Sequence, residues 1–293
     1  MPINQLVVSD PAAWPAPAKL NLMLRIVGRQ ADGYHLLQTV FQFLDHGDRL
    51  WFERRTDGII ERKGDVAGVA PAADLIVRAA RLLQLATGTG CGVTVRIDKR
   101  LPLGSGLGGG SSDAATTLVA LNQYWQTGLS LTQLAVLGLQ LGADVPVFVH
   151  GQAAWAEGIG ERLTPVTLPE PWFVVLTPAC QVATAAVFNA PELTRNSPLC
   201  TITDFVNGTG GNDCEAVVYR RYPKVAAAAA WLNRHGPARM TGTGASVFAA
   251  FPDAGSANRV LEQLPPQWSG FVAQGINASP LHSRAAQECA ASS

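Results

Sequence analysis

Between residues 101 and 112 the chain runs Leu-Pro-Leu-Gly-Ser-Gly-Leu-Gly-Gly-Gly-Ser-Ser, five glycines ahead of two serines. Set between a strand-like run and a helical one, such a backbone bends closely around an anion and offers it unpaired N–H groups at a helix N-terminus. The ligand this spacing predicts is a phosphate, held by Pro102, Leu103, Gly104, Ser105, Gly106, Leu107, Gly108, Gly109, Gly110, Ser111 and Ser112. Gly104-x-Gly106-x-x-Gly109 also fits a dinucleotide fingerprint. A Rossmann site, however, needs an acidic residue roughly 20 positions on, and none lies between Asp113 and Asp144. No Lys-Ser/Thr follows the last glycine, so this is not a P-loop, and a lysine from elsewhere must help meet the charge. A ligand-free turn would not require so many glycines ending in two capping serines. Asp144 is a second candidate, because an acid between Gly142-Ala143 and Val145-Pro146-Val147 is costly unless paired or used. Tyr34-His35, in a glycine-containing loop, pairs an aromatic face with a donor–acceptor edge, as a nucleobase reader would. By itself that pair more often marks a strand start whose His bonds to backbone.

These residues need elements to hold them. Residues 18–27 alternate, with Leu20, Leu22, Leu24 and Ile26 on one face and Lys19, Asn21, Met23 and Arg25 on the other, which predicts a half-buried strand presenting Lys19 and Asn21 together. Further strands are expected over 40–44, 49–53 and 92–98, with a hairpin signal at Thr56-Asp57-Gly58. Helices are expected over 74–85, 111–125 and 130–142, the last opened by a Ser130/Gln133 capping box, and 143–149 reads as strand. Pro165, Pro169 and Pro171 mark a boundary, dividing the chain into 1–165, which carries the phosphate loop, and 166–293. The second part reads as strand 172–177, helices near 212–220 and 224–234, a strand over 239–251 with a glycine-rich entry, helix 257–264 and strand 271–276. Residues 207–212 are expected to form a flexible surface loop before a helix opened by Asn212-x-x-Glu215. This mixture predicts an α+β architecture with a sandwich in each half.

Composition narrows the function classes. The 293 residues are 47% hydrophobic and 15% charged, with 22 basic and 22 acidic side chains. That is globular rather than disordered, and it lacks the basic excess that nucleic-acid or anionic-membrane binding requires. The first ten residues hold no Lys or Arg and no sustained apolar run, and residues 129–149 are too polar to span a bilayer, so a cytoplasmic protein is expected. The five cysteines are far apart with no C-x-x-C, and read as reduced, buried thiols. Lysine occurs only at 19, 63, 99 and 224.

Pro102-x-Gly-x-Gly-Leu-Gly-Gly-Gly-Ser-Ser112 resembles the phosphate loop of the GHMP kinases, and Thr241-Gly-Thr-Gly-Ala-Ser-Val247 resembles their C-terminal glycine-rich motif. Pro17-Ala-Lys-Leu-Asn-Leu22, Arg29-x-Ala-Asp-Gly-Tyr-His-x-Leu-Gln38 and Gly142-Ala-Asp-Val-Pro-Val-Phe148 narrow the resemblance to one branch. Its members phosphorylate the 2-hydroxyl of a cytidine diphosphate-linked methylerythritol with ATP, in non-mevalonate isoprenoid synthesis. The resemblance runs from about residue 14 to 282. It implies a two-domain fold, the first domain like ribosomal protein S5 domain 2 and the second ferredoxin-like, with the active site between them.

The resemblance also implies roles. Asp144 would be the base and Lys19, opposite it, would keep it ionised and stabilise the alkoxide and the transferred phosphoryl group. The plainer alternative is a buried pair joining two segments. Lys99 and Asp74 would join the loop around ATP; Asn21, Tyr34, His35, Thr184, Phe188, Gly242 and Thr243 would hold the acceptor. Tyr34 and Phe188 would stack on the pyrimidine while His35 bonds its edge, although on spacing alone Phe188 is a core aromatic. Two positions depart from the branch: Asp74 stands where members carry Asn, and Ser105 where they carry Gly. An Asp can cap the helix and accept from adenine, but it lacks the amide donor. Mg2+ is implied with ATP, yet no acidic cluster is placed to hold it, leaving phosphate oxygens, water and Ser112 as ligands. A homoserine or sugar kinase would share the loop but not need residues 31–35, and a non-catalytic nucleotide-binding regulator would be expected to have lost Lys19 or Asp144. Oligomeric state is not legible.

Overall fold

The structure, a computed structural model, describes residues 10, 12–31, 33–64, 69–70 and 73–292. The signal-free reading of residues 1–9, and Asp32 of the Tyr-His loop, lie outside the described residues.

Two long strands, β1 (Trp14–Arg29) and β2 (His35–Arg55), form an antiparallel pair in which Lys19 faces Phe43 and Asn21 faces Phe41. Register shifts between Pro17 and Lys19 and between Asn21 and Met23 interrupt it. A bulge turns the residues beyond it to the other face, so the expected strict alternation fails: Leu20 and Met23 are both fully buried, whereas Leu22 is only partly covered. Nor is β1 half-buried. Lys19 and Asn21 are 2% and 3% exposed, because their face lines a cleft rather than the surface.

Strand β3 (Ile60–Lys63) runs parallel to β4 (Gly92–Asp98), and between them α1 (Leu75–Thr87) is capped by Asp74, which accepts from the Ile76 N–H. Then follow α2 (Gly109–Tyr124) and α3 (Leu131–Leu139), the latter with the expected Ser130/Gln133 capping box. Residues 143–149 are not a strand: α4 (Val145–His150) occupies them. The valines carry a strand signal, but Pro146 sits in the first helical turn, where a missing N–H costs nothing, and Val145, Val147, Phe148 and Val149 are all buried. Phe148 belongs to the core that α1 and α2 make against the sheet with Trp14, Phe41 and Leu118.

After β5 (Ala154–Gly158) and β6 (Arg162–Pro165), the second half comprises β7 (Trp172–Pro178), α5 (Thr184–Phe188), α6 (Ile202–Val206), β8 (Gly211–Asn212), α7 (Glu215–Arg221), α8 (Pro223–Leu232), β9 (Arg239–Met240), β10 (Val247–Phe251), α9 (Ala254–Leu261), β11 (Trp268–Ile276) and α10 (Pro280–Ser292). The halves are not separate sandwiches. One 11-stranded sheet follows the path β3-β4-β2-β11-β7-β10-β9, with β1 and β5 also on β2. At 21 residues β2 is long enough to serve β1, β4, β5 and β11, and the last of these carries the sheet into the second half. There α8 and α9 cover the sheet, burying Val174, Leu176, Val225 and Trp231. Helix α10 returns to the first half against β1 and α2, the Arg284 guanidinium 4.7 Å from the Trp14 ring centroid.

Candidate active site

The glycine loop leaves the end of β4, and Asp48 on β2 holds its root. Asp48 Oδ1 accepts from the N–H groups of Arg100 (2.6 Å) and Leu101 (2.8 Å), and its Oδ2 lies 2.6 Å from Lys99 Nζ. Lys99 also donates to Asp113 Oδ2 at 2.6 Å. Burial opposes a charge on Lys99, but Asp113 and Asp48 hold its pKa above the ordinary value. Burial pushes the Asp113 carboxyl well above its ordinary range, with the Lys99 cation opposing and the Asp48 charge reinforcing.

The loop enters α2 earlier than expected. Gly108, at φ 74°, is the N-cap, and Ser111 and Ser112 lie inside the first turn rather than capping it. A Cβ at Gly108 would sit 2.8 Å from Phe148 Cζ and 3.1 Å from Lys19 Cε. Glycine is therefore what lets the helix start lie against Lys19. The amides of Gly109, Gly110 and Ser111 precede the first intrahelical bond, from the Ser112 N–H to Gly108 O at 2.8 Å, and the helix dipole adds to their pull on an anion. Ser112 is fully buried and its Oγ has no hydrogen-bond partner among the described residues. Leu107 is a core residue whose backbone carbonyl accepts from the Lys19 N–H at 2.9 Å.

A second glycine turn meets the first. The strand expected over 239–251 is two strands, β9 and β10, parted by residues 241–246. Gly242 and Gly244 take φ 57° and 86°, values that end a strand. Thr241 Oγ1 accepts from the Asn21 N–H (2.9 Å) and donates to Gly106 O (3.2 Å), while the Ser246 N–H donates to Ser105 O (2.9 Å). Residues 207–212 do not end as a free surface loop. Gly211 and Asn212 pair with β1, and Asn212 Nδ2 donates to Met240 O and Gly242 O, so Asn212 braces the turn. The expected Asn212/Glu215 cap is replaced: Cys214 is the N-cap of α7, and Glu215 Oε1 accepts from the Met240 N–H.

Lys19 Nζ lies 3.2 Å from Asp144 Oδ2 and also donates to Asn21 Oδ1. The expected apolar setting for Asp144 is corrected. Its side chain is 34% exposed against 3% for Lys19, and it stands at the N-cap of α4 with no side-chain cap bond. Lys19 and the helix N-terminus, rather than desolvation, set its surroundings.

These groups line one cavity of about 480 Å³. Of the residues expected at the nucleotide, Lys99, Pro102, Leu103, Gly104, Ser105, Gly106, Gly108, Gly109, Gly110 and Ser111 reach it; Leu107 and Ser112 do not. Asn21, Thr184, Phe188, Gly242 and Thr243 line it too, with Thr184 and Thr243 hydroxyls 2.9 Å apart. Asp74 lines a neighbouring cavity of about 160 Å³ with Val69, Leu75 and Leu103. Its second oxygen accepts from Arg62 Nε, a partner the sequence did not suggest. Tyr34 and His35 line a cavity of about 500 Å³ that shares Leu37, Ala143, Ile159, Thr184 and Phe188 with the main one.

At that end the expected arrangement is revised. His35 stacks on Phe188, centroids 5.0 Å apart and planes at 25°, while Tyr34 is 61% exposed, so one face of Phe188 is already covered. The ring of His35 is held by Arg195, whose Nε donates to His35 Nε2 at 3.1 Å. Burial, then the charges of Arg195 and Arg29, lower the His35 pKa. Arg195 lies 160 positions from His35 and carries no local signal of this role.

Two family matches cover this architecture: GHMP kinases N terminal domain over residues 74–152 and GHMP kinases C terminal over residues 204–269. The 4-diphosphocytidyl-2-C-methyl-D-erythritol kinase of Nitrosococcus oceani is 59% identical over 268 residues, covering 92% of this chain and 96% of the relative. The enzyme of that name from Halorhodospira halophila is 56% identical over 274 residues, covering 92% and 95%. A crystal structure of 4-(cytidine 5'-diphospho)-2C-methyl-D-erythritol kinase superposes with a TM-score of 0.79 at 33% identity, covering 90% of this chain and 98% of that one. Methanococcus jannaschii mevalonate kinase, at 14% identity and TM-score 0.66 over 90% and 98%, shares the fold. The chain belongs to the 4-diphosphocytidyl-2-C-methyl-D-erythritol kinase family of GHMP kinases.

Proposed function

We propose that this kinase transfers the γ-phosphoryl group of ATP to the 2-hydroxyl of 4-diphosphocytidyl-2-C-methyl-D-erythritol, releasing ADP. The observation that carries the reading is the position of the Lys19–Asp144 pair, in one continuous cleft between the glycine loop and the cavity bounded by Tyr34, His35 and Phe188. The triphosphate lies along residues 104–111, against the first-turn amides of α2 and near Lys99, with the adenine toward Asp74 and Leu75. The cytidine end of the acceptor enters the Tyr34–His35–Phe188 cavity, which leaves the polyol beside Lys19.

Transfer requires that the acceptor oxygen lose its proton as it bonds to the γ-phosphorus and the bond to the bridging oxygen of ADP breaks. Asp144 takes that proton; its partial exposure to the cleft leaves the carboxylate within reach of a bound hydroxyl. The Lys19 ammonium, buried and held by Asn21, faces the charge that develops on the transferred group. Asn21 is itself anchored, its Nδ2 donating to Thr39 Oγ1 at 2.9 Å.

Among the described residues no group of three or more His, Cys, Asp and Glu could hold a metal ion. The orphaned Ser112 hydroxyl, in the first turn of α2, is nonetheless an oxygen donor of the kind Mg2+ accepts. We infer that Mg2+ would arrive with ATP on its phosphate oxygens and supply charge neutralisation; Ser112, fully buried and outside the cavity, would need the start of α2 to shift before it could join them. No helix among the described residues is long and apolar enough to cross a membrane, and the demand for ATP suits a cytoplasmic setting.

Coupled ADP release tests the reading. Turnover of the cytidine compound is expected; robust turnover of homoserine or galactose with none of the cytidine compound overturns it.

A further inference from the structure

Arg195 uses its whole fork at the acceptor end of the cleft. Beside the bond from Nε to His35 Nε2, Nη1 donates to Leu193 O at 3.0 Å, and Nη2 donates to Phe188 O at 2.8 Å and Ala190 O at 2.7 Å. Three carbonyls, one at the last residue of α5 and two beyond it, thus fix the guanidinium, and the guanidinium fixes His35. A guanidinium has donors only and keeps its proton at any working pH, so the ring nitrogen it addresses must be the bare one. A neutral imidazole with Nε2 bare carries its hydrogen on Nδ1. Burial and the neighbouring Arg charges disfavour the imidazolium, which would turn a second N–H toward Arg195. Among the described residues no hydrogen bond engages Nδ1, and His35 lines the cavity it shares with Phe188.

We propose that Arg195 is a positioning residue that locks His35 in the Nδ1–H tautomer, so that the ring presents a fixed donor to the edge of the acceptor's base. The role presupposes the cytidine acceptor proposed above. Cytosine N3 is an acceptor and matches that donor; uracil N3 carries a hydrogen and meets it donor to donor. With the tautomer free, the same ring could accept from uracil, and discrimination would weaken. The aromatic faces of Tyr34 and Phe188 tolerate either base, so the choice between them falls to this ring edge. A guanidinium that only capped the carbonyls at and beyond the end of α5 would affect stability and leave base preference alone.

The test joins two measurements. Side-chain nitrogen NMR of His35 reads the tautomer in the wild-type enzyme, Arg195→Met and Arg195→Lys. Steady-state kinetics compares cytidine and uridine forms of the substrate. Wild type is expected to show Nδ1 protonated and Nε2 bare. Arg195→Met should populate the other tautomer and lose about tenfold or more of its cytidine preference in kcat/KM, the scale of one unmatched buried donor. Its KM for ATP should stay within about twofold of wild type, and Arg195→Lys should recover part of the preference. A wild-type His35 protonated on Nε2 overturns the proposal with no variant needed. So does an Arg195→Met enzyme that keeps both tautomer and preference; should that variant not fold, Arg195→Lys decides by the same two readings. If wild type turns over neither compound, the acceptor assignment falls and base selection with it, and the tautomer alone then decides whether Arg195 sets the ring.

Discussion

Gly106 is where the two glycine turns touch, and replacing it with alanine separates a contact effect from a backbone effect. At φ 80°, a Cβ on Gly106 would lie 2.3 Å from Thr241 O and 3.1 Å from Gly244 O, both backbone atoms of the second turn. Gly104 offers the control: its φ is 61°, equally left-handed, yet a Cβ there meets nothing within 4 Å. Each substitution incurs the left-handed penalty of roughly 1–2 kcal/mol. Only Gly106→Ala adds an overpacking cost, roughly 1–3 kcal/mol, because the Thr241 carbonyl must move. That movement strains the bonds from Thr241 Oγ1 to Gly106 O and from the Ser246 N–H to Ser105 O. The expected losses are therefore about 2–5 kcal/mol for Gly106→Ala and about 1–2 kcal/mol for Gly104→Ala, measured by urea unfolding at matched slopes. Calorimetric titration with ATP should show a weaker Kd for Gly106→Ala than for Gly104→Ala, since displacing the second turn also shifts the phosphate loop. Equal destabilisation by the two variants, or ATP affinity untouched in Gly106→Ala, means that the turns do not brace each other and that the loop geometry is wrong.

Asp144→Asn should keep its ATP affinity and lose at least ~100-fold in kcat, with Lys19→Ala behaving similarly in the same ADP-release assay; near-normal turnover in both leaves the pair merely structural. Lys99→Met strands Asp48 and Asp113 without their cation and should cost about 3–5 kcal/mol in urea unfolding at neutral pH. Adding Asp113→Asn should return part of that loss, and a double variant no better than the single one rules out the shared-cation account. His46 is buried against Phe271, ring centroids 4.1 Å apart, and burial, aided by Arg100, lowers its pKa from 6.5 to about 4. Between those values the unfolded chain binds the extra proton, so stability falls as pH drops from 6.5 through 4, by an amount on the order of 3 kcal/mol once complete. His46→Phe keeps the stacked ring and should flatten that part of the stability–pH curve; an unchanged slope assigns the acid sensitivity to other groups.

The features legible in the chain were those set by neighbours a few residues away. The glycine loop between β4 and α2 is one, because five glycines confer left-handed freedom and exposed amides wherever they stand, and the strand-to-helix context aims them. The Ser130/Gln133 box is another, closed within three residues. Strand alternation put Lys19 and Asn21 on one face, and the bulge that breaks the pattern lies just past Asn21. Where local signal and burial conflicted, burial prevailed: the valines of α4 read as strand, yet their side chains all reach the core from a helix opened by Asp144 and Pro146. The rest was decided by pairings that no local pattern records. Asn21 meets Thr241 across 220 positions, His35 meets Arg195 across 160, and Lys99 meets Asp48 across 51. Only a folded sheet, running from β2 through β11 into the second half, brings such groups within hydrogen-bonding distance. A side chain's partner, and with it the charge or tautomer it holds, depends on that proximity and not on the residues beside it in sequence.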